Sequence, residues 1–110
     1  MTRGEQDDAI GNRQPYVEIN HEPRIAIVGG REVALTAAEL RLLERLLEEP
    51  GRALKREQLV DAVTGGDAMV QQRTVDVHIC ALRRKLGAPD LIETVRRVGY
   101  RCHMRRSVKH

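Results

Sequence analysis

Arg73-Thr74-Val75-Asp76-Val77-His78-Ile79-Cys80-Ala81-Leu82-Arg83-Arg84-Lys85-Leu86 is the stretch on which the reading of this chain turns. Val75, Ile79, Leu82 and Leu86 fall four, three and four residues apart, the repeat of one helical face, and that face is a core stripe. The opposite face gathers Arg73, Val77, Cys80, Ala81 and Arg84. Thr74, His78 and Lys85 flank it on one side and Arg83 on the other. An ordinary solvated face mixes both charge signs and carries few apolar residues. This one is cationic at its ends and edges, with small apolar side chains in the middle. Duplex DNA suits both features: arginines bind phosphates or guanine edges, and short apolar groups let a helix lie deep in the major groove against thymine methyls. Basic amphipathic helices are also common as plain surface helices. The helix alone leaves the two readings level, and the rest of the chain decides.

Charge is distributed unevenly on either side of this helix. Residues 1–70 hold 9 basic and 13 acidic side chains, whereas residues 71–110 hold 10 basic and 3 acidic, within an overall net charge of +3. A C-terminal part this cationic points to a polyanionic partner. The 110 residues make one domain with a modest core. With no Phe or Trp and only Tyr16 and Tyr100, that core must be aliphatic. No apolar run reaches the length of a membrane span and no signal-peptide pattern opens the chain, so a cytoplasmic protein is expected. Cys80 and Cys102 do not make a disulfide framework. Neither they nor His78 and His103 have the spacing of a structural zinc site, so no metal or cofactor is expected.

Residues 1–14 lack apolar periodicity and read as a disordered N-terminal tail. Tyr16-Val17-Glu18-Ile19, a turn at Asn20-His21-Glu22-Pro23, Arg24-Ile25-Ala26-Ile27-Val28, Gly29-Gly30 and Arg31-Glu32-Val33-Ala34-Leu35 predict a small antiparallel sheet. Thr36-Ala37-Ala38-Glu39 is a capping box. It opens a helix to about Glu49, with Leu40, Leu43, Leu46 and Leu47 inward and Arg41, Glu44, Arg45, Glu48 and Glu49 outward, stopped by Pro50-Gly51. Residues 55–63 predict a short second helix burying Leu59, Val60 and Val63, and residues 64–72, with Gly65-Gly66, a loop. The helix at 73–86 follows and ends at Gly87.

Two helices, a loop and a cationic third helix make a helix-turn-helix with an enlarged turn. Residues 92–103 then read as a β-hairpin with Arg96 and Arg97 at its tip, which makes it a wing able to reach the DNA backbone or the adjacent minor groove. The fold class is therefore α+β: a winged helix-turn-helix with a small N-terminal antiparallel sheet, a three-helix core and a C-terminal hairpin wing. The domain is expected over 15–104, followed by a basic tail over 105–110.

With these segments in place the chain resembles the OmpR/PhoB-type winged-helix effector domains of bacterial two-component response regulators. The resemblance rests on Arg73 to Ile79, Leu82-Arg83, Lys85-Leu86, Ile92-Glu93-Thr94-Val95-Arg96 and Gly99-Tyr100-Arg101. Leu35-Thr36, Glu39, Leu42-Leu43 and Arg56-Glu57-Gln58-Leu59 extend it to the first two helices, so it covers roughly residues 16–103. It implies binding of double-stranded DNA to control transcription, often by head-to-tail pairs of the same chain on direct repeats, a homodimer on DNA. By position, Arg73, Thr74, His78 and Arg83 resemble the family's phosphate-contacting residues. Val77 and Ala81 fall at base-facing positions, Arg96 matches the wing arginine, and Thr94 adds a backbone contact. Arg84 and Arg97 complete the set of DNA-binding candidates from the helix face and the hairpin tip.

Four departures stand out. Cys80 and Ala81 replace longer polar or cationic side chains, which shifts specificity toward DNA shape. Arg97 replaces a common Gly in the wing, and Lys55 stands where a Ser or Thr often caps the second helix. The Trp often found near Thr64-Gly65 is missing; related activators touch RNA polymerase there, which weakens any expectation of that contact. Family members usually carry a phosphorylatable receiver domain upstream, for which 110 residues leave no room.

Two other classes compete. A winged-helix protein-protein interaction module would use Val77, Cys80 and Ala81 as an apolar contact patch, but the arginines around it suit phosphates better. An enzyme is the weakest reading, since Ser107 is the single serine and no P-loop, dinucleotide glycine motif or spaced carboxylate pair is present.

Overall fold

Two sheets flank three helices in the computed structural model, which describes residues 16–64 and 72–107. The tail expected over 1–14, the loop around Gly65-Gly66 and the last three residues lie outside the described residues. The first sheet is built from β1 (Tyr16–His21), β2 (Arg24–Val28) and β3 (Arg31–Ala34). Val28 pairs with Arg31, so Gly29-Gly30 form a two-residue hairpin loop. Their φ values of 60° and 81° are those a type I′ turn requires and L side chains resist. β1 runs two residues further than the turn expected from Asn20, because His21 still pairs with Arg24 across Glu22-Pro23.

The basic tail expected over 105–110 is corrected in part. Arg105–Arg106 form β7, which pairs in parallel with Tyr16 and Val17 and places the strands in the order β3-β2-β1-β7. The cause is the residue before it. Met104 is fully buried in the core, which brings the following backbone against β1, and the Ser107 amide then donates to the Val17 carbonyl at 2.8 Å. Sheet and helix are also joined by charge, since Glu44 accepts from His21 at 2.7 Å and lies 3.4 Å from Arg106.

Helix α1 (Ala37–Glu48) opens with the expected capping box: the Glu39 amide donates to the Thr36 hydroxyl at 3.2 Å and the Thr36 amide to Glu39 Oε1 at 3.0 Å. Leu42 joins Leu40, Leu43, Leu46 and Leu47 inside. Arg41 is not simply part of a solvated face. Its guanidinium donates to the carbonyls of Ala62 and Val63 at 3.0 and 2.9 Å, satisfying acceptors that α2 (Arg56–Thr64) leaves open at its end. At the start of α2, Lys55 lacks a capping hydroxyl. Gln58 supplies the other half of a capping box instead, accepting from the Lys55 amide at 2.8 Å.

Leu54–Lys55 form a short strand, β4, which joins β5 (Ile92–Val95) and β6 (Gly99–Cys102) in a second sheet of order β4-β6-β5. Gly99 makes the junction possible: a Cβ there would overlap the Leu54 carbonyl oxygen. Helix α3 (Gln72–Leu86) packs between α1, α2 and the wing, burying Val75, Ile79, Leu82 and Leu86. It stops at Gly87, whose amide donates to the carbonyls of Arg83 and Arg84 at 3.1 and 3.2 Å. The guanidinium of Arg31, reaching from β3, donates to the Leu86 carbonyl, so the first sheet caps the far end of α3.

Candidate nucleic-acid interface

Burying the Val75–Leu86 stripe turns the opposite face of α3 outward. Arg73, Val77, Cys80 and Arg84 are exposed, and Thr74, His78 and Ala81 are partly so. Val77 is 61% exposed, large for a β-branched side chain on a well-packed helix. Neither Arg73 nor Arg84 has an ion-pair partner among the described residues. Lys85, expected at the edge of this face, leaves it: its ammonium binds Glu39 Oε1 at 2.6 Å, locking α3 to the start of α1. Glu39 is 3% exposed, and burial by itself would raise its pKa. The Lys85 ammonium and the Thr36 amide and hydroxyl outweigh burial and hold the carboxyl below its ordinary value.

A cluster on the flank of α3 fixes the wing. Asp76 Oδ1 accepts from the Tyr100 hydroxyl at 2.6 Å and from Arg56 Nε at 2.7 Å. Partial burial pulls the Asp76 pKa upward, but the two donors outweigh it and hold the carboxyl below its usual value. Burial and the neighbouring carboxylate together push the Tyr100 phenol up. The guanidinium of Arg56 stands over the Tyr100 ring at 5.1 Å from its centroid and that of Arg83 at 5.5 Å. Arg83 also donates to the Ile92 carbonyl at 2.9 and 2.6 Å and to the Thr94 hydroxyl at 2.8 Å. One aromatic ring, one carboxylate and two guanidinium groups thereby join α2, α3, β5 and β6.

The cluster alters the expected roles of two candidates. Arg83 and Thr94 are engaged with each other, and Arg83 acts first as a strut between α3 and β5 rather than as a free cation. Asp76, Arg56 and Tyr100 were not singled out from sequence as parts of the site. A signal for one of them was available, since Asp76 is the one acid on a helix otherwise rich in arginine, and a carboxylate there calls for a partner inside the protein.

The hairpin tip carries Arg96 and Arg97, both exposed, with Val98 39% exposed beside them. The Val98 amide donates to the Val95 carbonyl at 2.9 Å, closing a reverse turn. Arg97 sits at its third position with φ of 67°, where a type II turn favours Gly. The expected departure is thus accommodated in left-handed backbone, at a cost of about 1–2 kcal/mol for an L residue. Arg97 and Val98 lie next to Lys55, Arg56 and Glu57 around a shallow surface depression, so the tip adjoins the start of α2.

The other groups with chemistry do not form a second site. Cys80 is exposed, whereas Cys102 is buried, and burial pushes its thiol up to about 11 against a smaller opposing effect of the Met104 backbone. Among the described residues no group of three or more His, Cys, Asp or Glu side chains is placed to hold a metal ion, and no helix is long and apolar enough to cross a membrane.

An outward helix backed by two others, with a hairpin locked to its flank, defines a winged helix-turn-helix protein. Residues 30–102 match the family described as transcriptional regulatory protein, C terminal. The chain belongs to this family, the OmpR/PhoB-type effector domains of bacterial transcriptional regulators. It is 46% identical over 87 residues to the phosphate regulon transcriptional regulatory protein PhoB of Rhizobium meliloti (strain 1021), a match covering 76% of this chain and 38% of that protein. The PhoB protein of Pseudomonas aeruginosa is 43% identical over 76 residues, 67% of this chain and 33% of that protein. The chain therefore spans about a third of the length of these relatives.

Solved structures agree in fold. The DNA-binding domain of the response regulator AdeR, solved in complex with an intercistronic region, superposes with a TM-score of 0.69 at 27% identity, covering 78% of this chain and 92% of that one. The RstA DNA-binding domain of Klebsiella pneumoniae, in complex with the RstA box, gives 0.63 at 34% identity over 76% and 87% of the two chains.

Proposed function

We propose that this chain binds double-stranded DNA in a sequence-dependent way and thereby regulates transcription, with α3 in the major groove and the wing on the backbone or adjacent minor groove. The observation that carries the reading is the outward face of α3. Two exposed arginines without an ion-pair partner among the described residues, Arg73 and Arg84, bracket a solvent-facing Val77. Relatives solved on DNA, AdeR and RstA, share the fold that presents this face.

In this reading Arg73, Thr74, His78 and Arg84 contact phosphates, Val77 and Ala81 face the bases, and Arg96 and Arg97 reach the DNA from the wing. Arg83 and Thr94 contribute mainly by holding the wing at its angle to α3, which leaves part of the Arg83 guanidinium for the backbone. Pairing of two copies on direct repeats belongs to the same proposal, as does action in the cytoplasm, where the DNA is.

The test is fluorescence anisotropy with labelled duplexes. Arg73→Ala should weaken binding to every duplex by roughly 1 kcal/mol or more. An affinity equal to that of the parent protein for all duplexes would remove Arg73 from the interface.

A further inference from the structure

The last turn of α3 is held from three sides. Arg83 donates to the Ile92 carbonyl and the Thr94 hydroxyl of β5, Lys85 binds Glu39 at the start of α1, and the Leu86 carbonyl accepts from Arg31 of β3. Arg84 stands among these anchors, exposed and without an ion-pair partner among the described residues. Arg83 and Lys85 are tethered by long side chains, which leave the backbone of the turn free to fray. The Arg31 contact differs because it closes the backbone itself. A helix leaves its last four carbonyls without internal donors. The Gly87 amide serves those of Arg83 and Arg84. The Arg31 guanidinium serves that of Leu86 and places a cation at the negative end of the helix dipole. Gly87 leaves room for it, since a Cβ there would come within 2.7 Å of Arg31 Nη2.

Building on the duplex-binding reading above, we infer that Arg31 is a positioning residue for duplex binding: by closing the end of α3, it holds in place the turn that presents Arg84 to a phosphate. Without that donor the Leu86 carbonyl must turn toward water, and the turn from Arg83 to Leu86 loosens. Arg83 and Lys85 keep their tethers to β5 and Glu39. Arg84 has no such tether, so its backbone must be ordered again each time the duplex binds, at an entropic cost that cancels much of the contact. Arg96 does not depend on this turn. It sits on the hairpin, which Tyr100 and Asp76 fasten near the opposite end of α3. The first sheet, remote from the outward face in sequence, thereby takes part in binding through one side chain.

The experiment is a pair of double-mutant cycles on affinity for one duplex selected from a random-sequence pool, at fixed salt and well below the unfolding temperature. In the parent protein Arg84→Ala should weaken binding on the order of fivefold. In the Arg31→Ala background the same change should weaken it about twofold or less, while Arg96→Ala should have the same effect in both backgrounds. Arg31→Lys keeps a cationic donor and should restore the full effect of Arg84→Ala. Additive cycles for both partners would overturn the inference. So would equal coupling of Arg31 to Arg84 and to Arg96, which is what a general loosening of the fold produces, or a lysine variant that behaves like the alanine one. Failure of the parent protein to bind any duplex at low salt would instead sink the duplex-binding reading itself.

Discussion

The Tyr100 hydroxyl donates a 2.6 Å hydrogen bond to Oδ1 of Asp76, so a residue of the wing is tied directly to the flank of the helix that faces outward. Arg56 reaches the same oxygen from α2 at 2.7 Å. The angle between wing and α3 is thus set by side chains packed on the flank of the helix, while Arg73 and Arg84 on its outward face have no ion-pair partner among the described residues.

Tyr100→Phe keeps the ring beneath Arg56 and Arg83 and removes only the hydroxyl. It should lower stability by about 1 kcal/mol in urea unfolding, near the low end for a bond to a charged acceptor because Asp76 is partly solvated. DNA affinity should fall further than Arg96→Ala alone lowers it, because the whole wing loses its fixed position. Unchanged unfolding midpoint and affinity together would mean the bond does not hold the wing.

Gly99→Ala should damage the fold more than any substitution on the outward face. The new Cβ meets the Leu54 carbonyl, and backbone cannot yield as a flexible side chain can. A loss of about 3 kcal/mol is expected, at the upper end for overpacking, because the β4–β6 pairing must open. Thermal unfolding near that of the parent would show that β4 does not constrain the wing.

Arg97 is where fold and proposed function pull apart. Arg97→Gly should raise stability by a few tenths to about 1 kcal/mol, since relief of the left-handed backbone exceeds the added freedom of the unfolded chain. The same change should weaken duplex binding and flatten its salt dependence by about one phosphate contact. If Arg97→Gly bound DNA like the parent, the tip would not reach the duplex.

Acid should release the lock between α1 and α3. Glu39 has a lower pKa folded than its ordinary value of 4.5, so it contributes stability that is fully present above about pH 4.5 and is lost as pH falls through its folded value. The parent should therefore exceed Glu39→Gln in stability at neutral pH, and the gap should shrink steadily below about pH 4.5. A gap independent of pH would assign the effect of Glu39 to packing rather than charge.

Much of the fold was legible because its signals are local. The Gly29-Gly30 turn, the Thr36–Glu39 box and the four-three-four spacing from Val75 to Leu86 each act within a few residues. What escaped depends on contacts distant in sequence. β4 and β7 are two residues each, too short for any periodicity, and exist only because Gly99 and Met104 bring backbone alongside. Arg41, Lys85 and Arg31 read as solvated charges until the helix ends and the buried Glu39 that they serve are placed opposite them. In the candidate site, Arg73, Val77 and Arg84 were legible from one helix face. The engagement of Arg83 with Ile92 and Thr94 was not, since it crosses from α3 to the wing.

The central claim is that the outward face of α3 and the wing tip meet the phosphates of a duplex. Its most direct test is affinity for one selected duplex as a function of salt concentration. With Arg73, Arg84, Arg96 and Arg97 each on a phosphate, log K against log salt should fall with a slope of about −4, and Arg84→Ala should reduce that slope by about 1. A slope near zero, or one untouched by Arg84→Ala, would contradict the claim.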